Sequence, residues 1–176
     1  MVRTNAVAAG DTHDGVQPPD GLEGVIATFG DISAYTRDDG HLKQSWETEN
    51  LVAARIPFAI PLSWDHSRWV KGIFCHILLA PVVSELFTRI HQERLSHEIR
   101  SYCGCYNYRP KRQSDKLSTH SWGIAIDLNS ETNRQGSDGD MHPEIVALFR
   151  EYGFVWGGDW PGKSKDPMHF QYCTGY

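Results

Sequence analysis

The sequence predicts an α+β fold in which helices come first and a small antiparallel sheet follows. Apolar residues recur at three- and four-residue steps in Trp69–Leu95 and again in His142–Tyr152, which is the period of an amphipathic helix. Residues 124–128 (IAIDL) instead alternate, with Ala125 and Asp127 on the less apolar side, as in a half-buried strand. At 176 residues and without internal repeats, the chain has room for one domain.

The first third of the chain gives weaker signals. Residues 1–21 are polar and rich in Gly, Asp and Pro, so we expect a flexible arm followed by a single folded domain over residues 22–176. Pro57 disfavours helical geometry in the residue before it. The elements predicted here are a strand at 22–29, a turn at 38–40, a helix at 42–54 and an irregular segment with two prolines at 56–62.

The remaining elements follow from periodicity and from turn residues. Pro81 should kink the run Trp69–Leu95 or begin a second helix as its first residue. Gly153 should end the helix His142–Tyr152. The other predicted elements are strands at 98–102, 124–128, 154–156 and 168–172, a basic loop at 109–116 and a flexible loop at 129–140.

Charge and hydropathy argue against two classes of protein. The net charge of −5 disfavours a general DNA or RNA binder, which normally carries a basic stripe. The longest apolar stretch, Ile73–Val83, is interrupted by His76 and Pro81 and is shorter than the roughly 20 residues that a membrane span needs. We therefore expect neither a nucleic-acid partner nor membrane insertion, and we interpret His76 as a hydrogen-bonded core residue.

The four cysteines are expected to be reduced and mostly structural, because a chain of this size has enough apolar residues for a core without disulfides. Cys103 and Cys105 are closer together than the usual pair of a zinc finger. Two alternatives stay open: a disulfide from Cys173 to one of this pair, and a structural metal site on these three cysteines with a histidine.

Two short stretches contain residues that suit a catalytic zinc site. His120 precedes the predicted strand at 124–128, Asp127 lies on that strand, and His169 lies on the last strand, which could pair beside it. Two histidines and a carboxylate are a common zinc ligand set that leaves a fourth position for water. Asp166, three residues before His169, could approach that water.

Each of these residues also has an ordinary structural interpretation. His120 could cap a turn, Asp127 could pair with an arginine, and His169 could pack against Trp160. The combination is harder to explain in this way, because a given pattern of four residues at about 5% usage each matches roughly one chain in a thousand.

The two stretches read S-x-H-x-x-G-x-A-x-D from Ser118 to Asp127 and D-x-x-H from Asp166 to His169. They resemble the D-alanyl-D-alanine carboxypeptidase family of zinc peptidases, which includes vancomycin-resistance dipeptidases and L-alanyl-D-glutamate endopeptidases of phage lysins. The resemblance extends over about residues 64–173, through GCYNYRP before the motifs and FVWGGDW between them. It implies a small antiparallel sheet flanked by helices, the hedgehog and D-Ala-D-Ala peptidase type of fold. Residues 1–60 match nothing in it.

The resemblance also implies a role for each matched residue. His120, Asp127 and His169 correspond to the zinc ligands and Asp166 to the general base. Arg109 corresponds to the arginine that steadies the scissile carbonyl or a substrate carboxylate. The candidate substrate-binding residues, each with a structural alternative, are Ser118, Trp156 and Trp160.

The function implied is zinc-dependent hydrolysis of a peptide bond in peptidoglycan stem peptides. Asp at position 166 and the small size favour an L-alanyl-D-glutamate endopeptidase, with a D-alanyl-D-alanine carboxypeptidase or dipeptidase as the alternative. A non-catalytic zinc module that binds a partner or a wall peptide is the alternative of another class. Because residues 1–15 lack the apolar stretch of a secretory signal, we expect synthesis in the cytoplasm and arrival at the wall after lysis or another release. We also expect the protein to be a monomer.

Overall fold

The computed structural model describes residues 15–112 and 114–176 of the chain. Over these ranges, four α-helices and a six-stranded, mostly antiparallel sheet form the α+β fold that the sequence predicts. None of the described helices combines the length and the apolar character that crossing a lipid bilayer requires.

The helices and strands have the following bounds. The helices are α1 (Gly21–Phe29), α2 (Gln44–Asn50), α3 (Ala80–Gln92) and α4 (Pro143–Glu151). The strands are β1 (Leu51–Leu62), β2 (Asp65–His76), β3 (Tyr102–Gly104), β4 (Ala125–Leu128), β5 (Val155–Trp156) and β6 (His169–Gln171). Their order across the sheet is β2-β1-β3-β4-β6-β5, and all neighbours are antiparallel except β1 and β3.

The middle of the sheet brings distant parts of the sequence together. In the register of β4 and β6, Asp127 pairs with His169 and Ala125 pairs with Gln171. On its other side, β4 pairs with β3, where Gly104 lies opposite Asp127. Residues 42 positions apart in the chain therefore become cross-strand neighbours, the closest arrangement that a sheet offers to side chains.

Two amphipathic helices build the core. Helix α3 buries Leu86, Phe87 and Ile90, and α4 buries Phe149 among other apolar residues. The ring of Phe149 lies 4.1 Å from that of Phe170 on β6 and 6.1 Å from that of Phe87. Each such buried side chain contributes about 1.5–3 kcal/mol, so this packing holds the strand with His169 firmly in place.

The helix predicted over Trp69–Leu95 is wrong in its first part. Residues 65–76 form β2, which pairs with β1 in two stretches on either side of a register shift, and the helix begins only at Ala80. Pro81 lies in the first turn of α3, as the second-helix alternative predicted. The apolar residues of this run fit both periods, and pairing with the preceding strand β1 decides between them.

Three predictions for the first half of the chain also need correction. The predicted strand at 22–29 is helix α1, which buries Val25 and Phe29 four residues apart. The helix predicted at 42–54 is only seven residues long, and the segment 56–62 is part of β1 instead of irregular. Its prolines are tolerated at irregular points of the ladder with β2: Pro57 lies in the register shift between Arg55 and Ile60, and Pro61 lies next to the shift before Leu62.

The second half agrees better with the sequence. The strands at 124–128, 154–156 and 168–172, the loop at 129–140 and the helix ending before Gly153 are confirmed within a few residues, as are the described residues 109–112 and 114–116 of the basic loop. The strand predicted at 98–102 is displaced, because β3 begins at Tyr102.

Residues 1–14 of the predicted arm lie outside the described residues. The part of that segment that the structure describes contacts the end of the chain. The Thr174 N–H donates to the Pro19 carbonyl at 2.9 Å, and the Gly21 N–H donates to the Thr174 carbonyl at 2.9 Å.

Candidate metal centre

His120 is held by a short 3-10 helix, Thr119–Trp122, between β3 and β4. The Ser118 hydroxyl oxygen accepts the His120 N–H at 3.4 Å and caps this helix. The imidazole Nδ1 of His120 lies 2.7 Å from the Cys105 carbonyl oxygen, which can only accept, so Nδ1 carries the hydrogen. The lone pair of the neutral ring is therefore on Nε2.

The tautomer of His169 is fixed by the side-chain amide of Gln171. The Gln171 amide nitrogen donates to the carbonyl oxygens of Cys173, at 3.3 Å, and Tyr176, at 3.0 Å. Its oxygen consequently faces His169 and lies 3.1 Å from Nε2. Nε2 carries the hydrogen, and the lone pair of the neutral His169 ring is on Nδ1.

The two lone pairs and the Asp127 carboxylate converge on one point. His120 Nε2 lies 3.2 Å from His169 Nδ1 and 3.2 Å from Asp127 Oδ2, and His169 Nδ1 lies 3.0 Å from Asp127 Oδ1. Tetrahedral ligands at the usual zinc distances are about 3.3 Å apart. Both histidine rings are more than nine-tenths buried. The residues present therefore fit a zinc ion, since three acceptors converge and no protein donor lies between them.

The charges at this point favour a cation. Burial raises the pKa of Asp127, but His120 and His169 outweigh it and hold that pKa well below its usual range. Burial lowers the pKa of His169, but Asp127 and Gln171 outweigh it and raise that pKa. A carboxylate that stays ionised in the interior needs a counter-charge, and a metal ion or a proton on His169 supplies it.

Asp166 reaches the same place from the loop after β5. Its N–H donates to the Gly157 carbonyl at 2.8 Å, and its carbonyl accepts the His169 N–H at 3.0 Å. Gly157 has to be glycine, because a Cβ there would lie 2.5 Å from the Asp166 carbonyl oxygen. Asp166 Oδ1 is buried without a hydrogen-bond partner among the described residues, and burial raises the pKa of this carboxyl group to about 6.

A cavity of about 300 Å³ opens over these groups. It is lined by His120, Asp127, Asp166 and His169 and by further polar residues. Every part of the proposed centre thus faces one space that a small peptide segment could enter.

The segment that contains these four residues has recognisable relatives. Residues 112–172 match the family model described as D-alanyl-D-alanine carboxypeptidase. The match covers about a third of the chain and includes the His–Asp–His set and Asp166. The resemblance to this zinc peptidase family that the motifs indicated is confirmed.

The candidate substrate-binding residues do not all face the cavity. Ser118 and Trp160, both in the segment that matches the family, line it, and the Trp160 ring lies 5.3 Å from the His169 ring. Trp156 does not line it. Its indole N–H donates to the Pro167 carbonyl at 2.7 Å and its ring stacks on Phe170, so it supports the loop before His169 from behind.

Arg109 lies just before the segment that matches the family, and it is one of the residues that line the cavity. The backbone of Arg109 is fixed at both ends: its N–H donates to the Ser121 hydroxyl at 3.1 Å, and its carbonyl accepts the Ser118 N–H at 2.9 Å. Among the described residues, its side chain donates to the Pro110 carbonyl at 3.4 Å. The guanidinium group therefore has donors left for a substrate oxygen.

Sequence reasoning missed the two groups that orient the histidines. The Cys105 carbonyl is part of the backbone and has no sequence signal. Gln171 does have one, because residues two apart on a strand lie on the same face, and Gln171 follows His169 at that spacing.

The cysteines do not form the alternative metal site. All four are free thiols, so the disulfide alternative for Cys173 is also absent. Among the described residues, His120, Asp127 and His169 form the cluster able to hold a metal ion, and none of the cysteines belongs to it. His76, as predicted, is a core residue, 2% exposed and hydrogen-bonded to the Phe29 carbonyl.

Proposed function

We propose that this protein is a zinc-dependent peptidase that hydrolyses a peptide bond in peptidoglycan stem peptides, with the L-alanyl-D-glutamate bond as the favoured target. The observation that carries the proposal is the Oδ1 oxygen of Asp166, which is buried without a hydrogen-bond partner among the described residues, on a side chain that lines the same cavity as the His–Asp–His set. A carboxyl group whose pKa is about 6 both accepts and releases a proton near neutral pH.

The residues have distinct tasks in this chemistry. Zinc, when bound by His120, Asp127 and His169, supplies a Lewis acid that polarises an amide carbonyl and acidifies water. Asp166 accepts the proton of the attacking water and returns it to the amine that leaves. Arg109 donates hydrogen bonds to the carbonyl oxygen as negative charge develops on it, and losing a donor of this kind typically lowers the rate about 100- to 1,000-fold.

Two alternatives remain distinct from this proposal. Release of terminal D-alanine would use the same centre and would need a cation for the terminal carboxylate, a requirement that the arginines and lysine of the cavity meet. A non-catalytic zinc module would need the metal ligands only. The buried Oδ1 of Asp166 favours catalysis, because burial of an unpartnered polar atom is costly and a binding module gains nothing from it.

The test combines zinc content with digestion of purified muropeptides by the full chain. Asp166→Asn should retain one zinc per chain and lose at least about 100-fold in hydrolysis, whereas His120→Ala and His169→Ala should lose the zinc. His97→Ala and Asp159→Asn, which alter exposed residues outside the cavity, are the matched controls. Mass spectrometry of the fragments identifies the bond that is cut. Full hydrolysis by Asp166→Asn, or zinc that persists in both histidine variants, would overturn the proposal.

A further inference from the structure

The cavity has walls of opposite charge. Asp127 and Asp166 lie beside the metal ligands, while Arg109, Lys111 and Arg112 line the cavity from the loop before Ser118. The Lys111 N–H donates to the Lys116 carbonyl at 2.8 Å, and Pro110 and Leu117 form a bridge, so residues 110–112 and 114–117 are the two sides of a short hairpin.

Of the three cations in this wall, the ammonium group of Lys111 is the one that combines partial burial with the lack of a nearby carboxylate among the described residues. It is half-buried, and its Nζ lies 3.8 Å from the centre of the Tyr176 ring. No Asp or Glu within residues 15–112 and 114–176 forms an ion pair with it. Burial lowers the pKa of Lys111, as removal of an ammonium group from water does.

The two arginines of the same loop differ from Lys111. Arg112 is exposed, donates to the Gln135 side-chain oxygen at 3.1 Å and acts electrostatically on Asp166. Arg109 is the group proposed above for the scissile carbonyl. Lys111 instead lies against the Tyr176 ring, and the groups that act on it electrostatically are the Cys173 thiol and Lys116.

We propose that Lys111 binds a carboxylate of the substrate peptide and makes the centre prefer stem peptides with a free carboxylate next to the bond that is cut. The proposal rests on the proposed function and extends it to substrate choice. A carboxylate placed against a half-buried ammonium group forms a charge-assisted hydrogen bond, which is stronger than a hydrogen bond between neutral groups. An uncharged amide in the same position leaves the ammonium group without a counter-charge.

Stem peptides offer this chemistry from two sources: the α-carboxylate of D-glutamate, which directly follows the L-alanyl bond, and the carboxylate of the terminal D-alanine. The experiment therefore uses one synthetic stem pentapeptide in three forms: unmodified, amidated at the D-glutamate α-carboxyl, and amidated at the terminal carboxyl. The value of kcat/KM for each form is measured with the zinc-loaded full chain.

For the wild type, one of the two amidations should lower kcat/KM about 10- to 100-fold, the usual effect of losing a hydrogen bond to a charged group. In Lys111→Met, the same amidation should change kcat/KM less than about 2-fold, and Lys111→Arg should restore most of the preference. The amidation that matters identifies the carboxylate. Lys116→Met is the matched control, because Lys116 is exposed on the same hairpin and does not line the cavity.

The inference and the proposed function fail in different ways. Equal effects of both amidations in the wild type and in Lys111→Met would overturn the role of Lys111 and leave the peptidase intact. If the wild type cuts none of the three peptides, the peptidase proposal fails, and calorimetric binding of the same peptides then decides about Lys111. A carboxylate preference in binding that Lys111→Met loses supports the site, and one that it retains overturns it.

Discussion

The Nε2 atom of His169 lies 3.1 Å from the side-chain oxygen of Gln171, two residues further along the same strand. Both hydrogens of the Gln171 amide point the other way, toward the carbonyl oxygens of Cys173 and Tyr176. The glutamine can therefore only accept from His169. This contact keeps the hydrogen on Nε2 and leaves Nδ1 directed at Asp127, which is how residues behind a metal ligand set its tautomer.

Gln171→Met should weaken zinc binding about 10- to 100-fold, the usual effect of removing the partner behind a histidine ligand. The methionine has a similar length and cannot accept the ring hydrogen, so His169 is free to change tautomer. Competition with a chelator of known affinity measures the change. Gln135→Met is the control, since Gln135 lines the same cavity and bonds to Arg112 instead of a ligand.

The same variant has a spectroscopic signature that a general loss of stability would not produce. The ring N–H protons of His169 and of His120, which donates to the Cys105 carbonyl, should give two protected downfield resonances in the zinc-loaded protein. Gln171→Met should remove the His169 resonance and keep that of His120. Unchanged zinc affinity with both resonances present would show that Gln171 does not position its neighbour.

Removal of the metal should lower thermal stability. Without a cation, the lone pairs of His120 and His169 and the Asp127 carboxylate face one another at 3.0–3.2 Å. Free zinc at 100 times its Kd stabilises the folded state by about 2.7 kcal/mol, which corresponds to roughly 5–10 °C in Tm for a domain of this size. Thermal unfolding with zinc and with excess chelator measures the shift. His120→Ala should show no shift in Tm. A wild-type Tm that is the same with zinc and with chelator would contradict the metal site.

The centre could be predicted from the sequence because its residues lie on elements with an unambiguous local pattern. Asp127 is on a strand that alternates cleanly, and His169 is on a short strand between turn residues. Gly157 and Lys111 had no comparable signal. Their importance depends on a loop that closes over Asp166 and on a hairpin that faces the metal ligands, and only the folded chain brings these parts together.

The β1–β2 hairpin could not be predicted for a different physical reason. Residues 69–76 contain apolar side chains at helical steps, and Pro57 and Pro61 argue against a strand in β1. The observed pairing combines two segments that are each ambiguous alone. The eight residue pairs of the β1–β2 ladder and burial of Ile60 and Ile73 override local preferences of this kind.

His76 should make the protein less stable as the pH falls. Its Nε2–H donates to the Phe29 carbonyl at 3.2 Å and its Nδ1 accepts the Leu78 N–H at 3.2 Å, so a neutral ring satisfies both contacts. Burial lowers the pKa of His76 from 6.5 to about 4. The unfolded chain therefore binds a proton first, and the stability that the neutral ring contributes is present above about pH 6.5 and lost as the pH falls toward 4. The full loss is at most about 3 kcal/mol.

Denaturant unfolding between pH 4 and pH 7 measures this loss. In His76→Gln the amide can still donate to the Phe29 carbonyl and does not titrate, so its free energy of unfolding should fall less over this range. The carboxyl groups of the protein contribute equally to both proteins and cancel in the difference. His97→Gln, at an exposed position, should behave as the wild type does. Parallel pH profiles for His76→Gln and the wild type would refute the assignment.

Gly123 connects the metal centre to the β1–β2 hairpin. It ends the 3-10 helix of His120 with φ +66°, and a Cβ there would lie 2.9 Å from the Leu51 side chain and 3.0 Å from the His76 backbone nitrogen. Gly123→Ala should therefore lower the free energy of unfolding by about 2–4 kcal/mol, from the left-handed conformation and from the collision together. Its N–H donates to the His120 carbonyl, so zinc affinity should fall as well.

Gly21→Ala separates the two causes, because Gly21 has nearly the same φ of +64° and no atom within 4 Å of a Cβ. It should cost only about 1 kcal/mol, the price of the left-handed conformation alone, and it should leave zinc affinity unchanged. Denaturant unfolding and chelator competition on both variants measure the two effects. Equal losses of stability in the two variants would mean that the close approach of Gly123, at the end of the 3-10 helix that holds His120, to β2 does not constrain position 123.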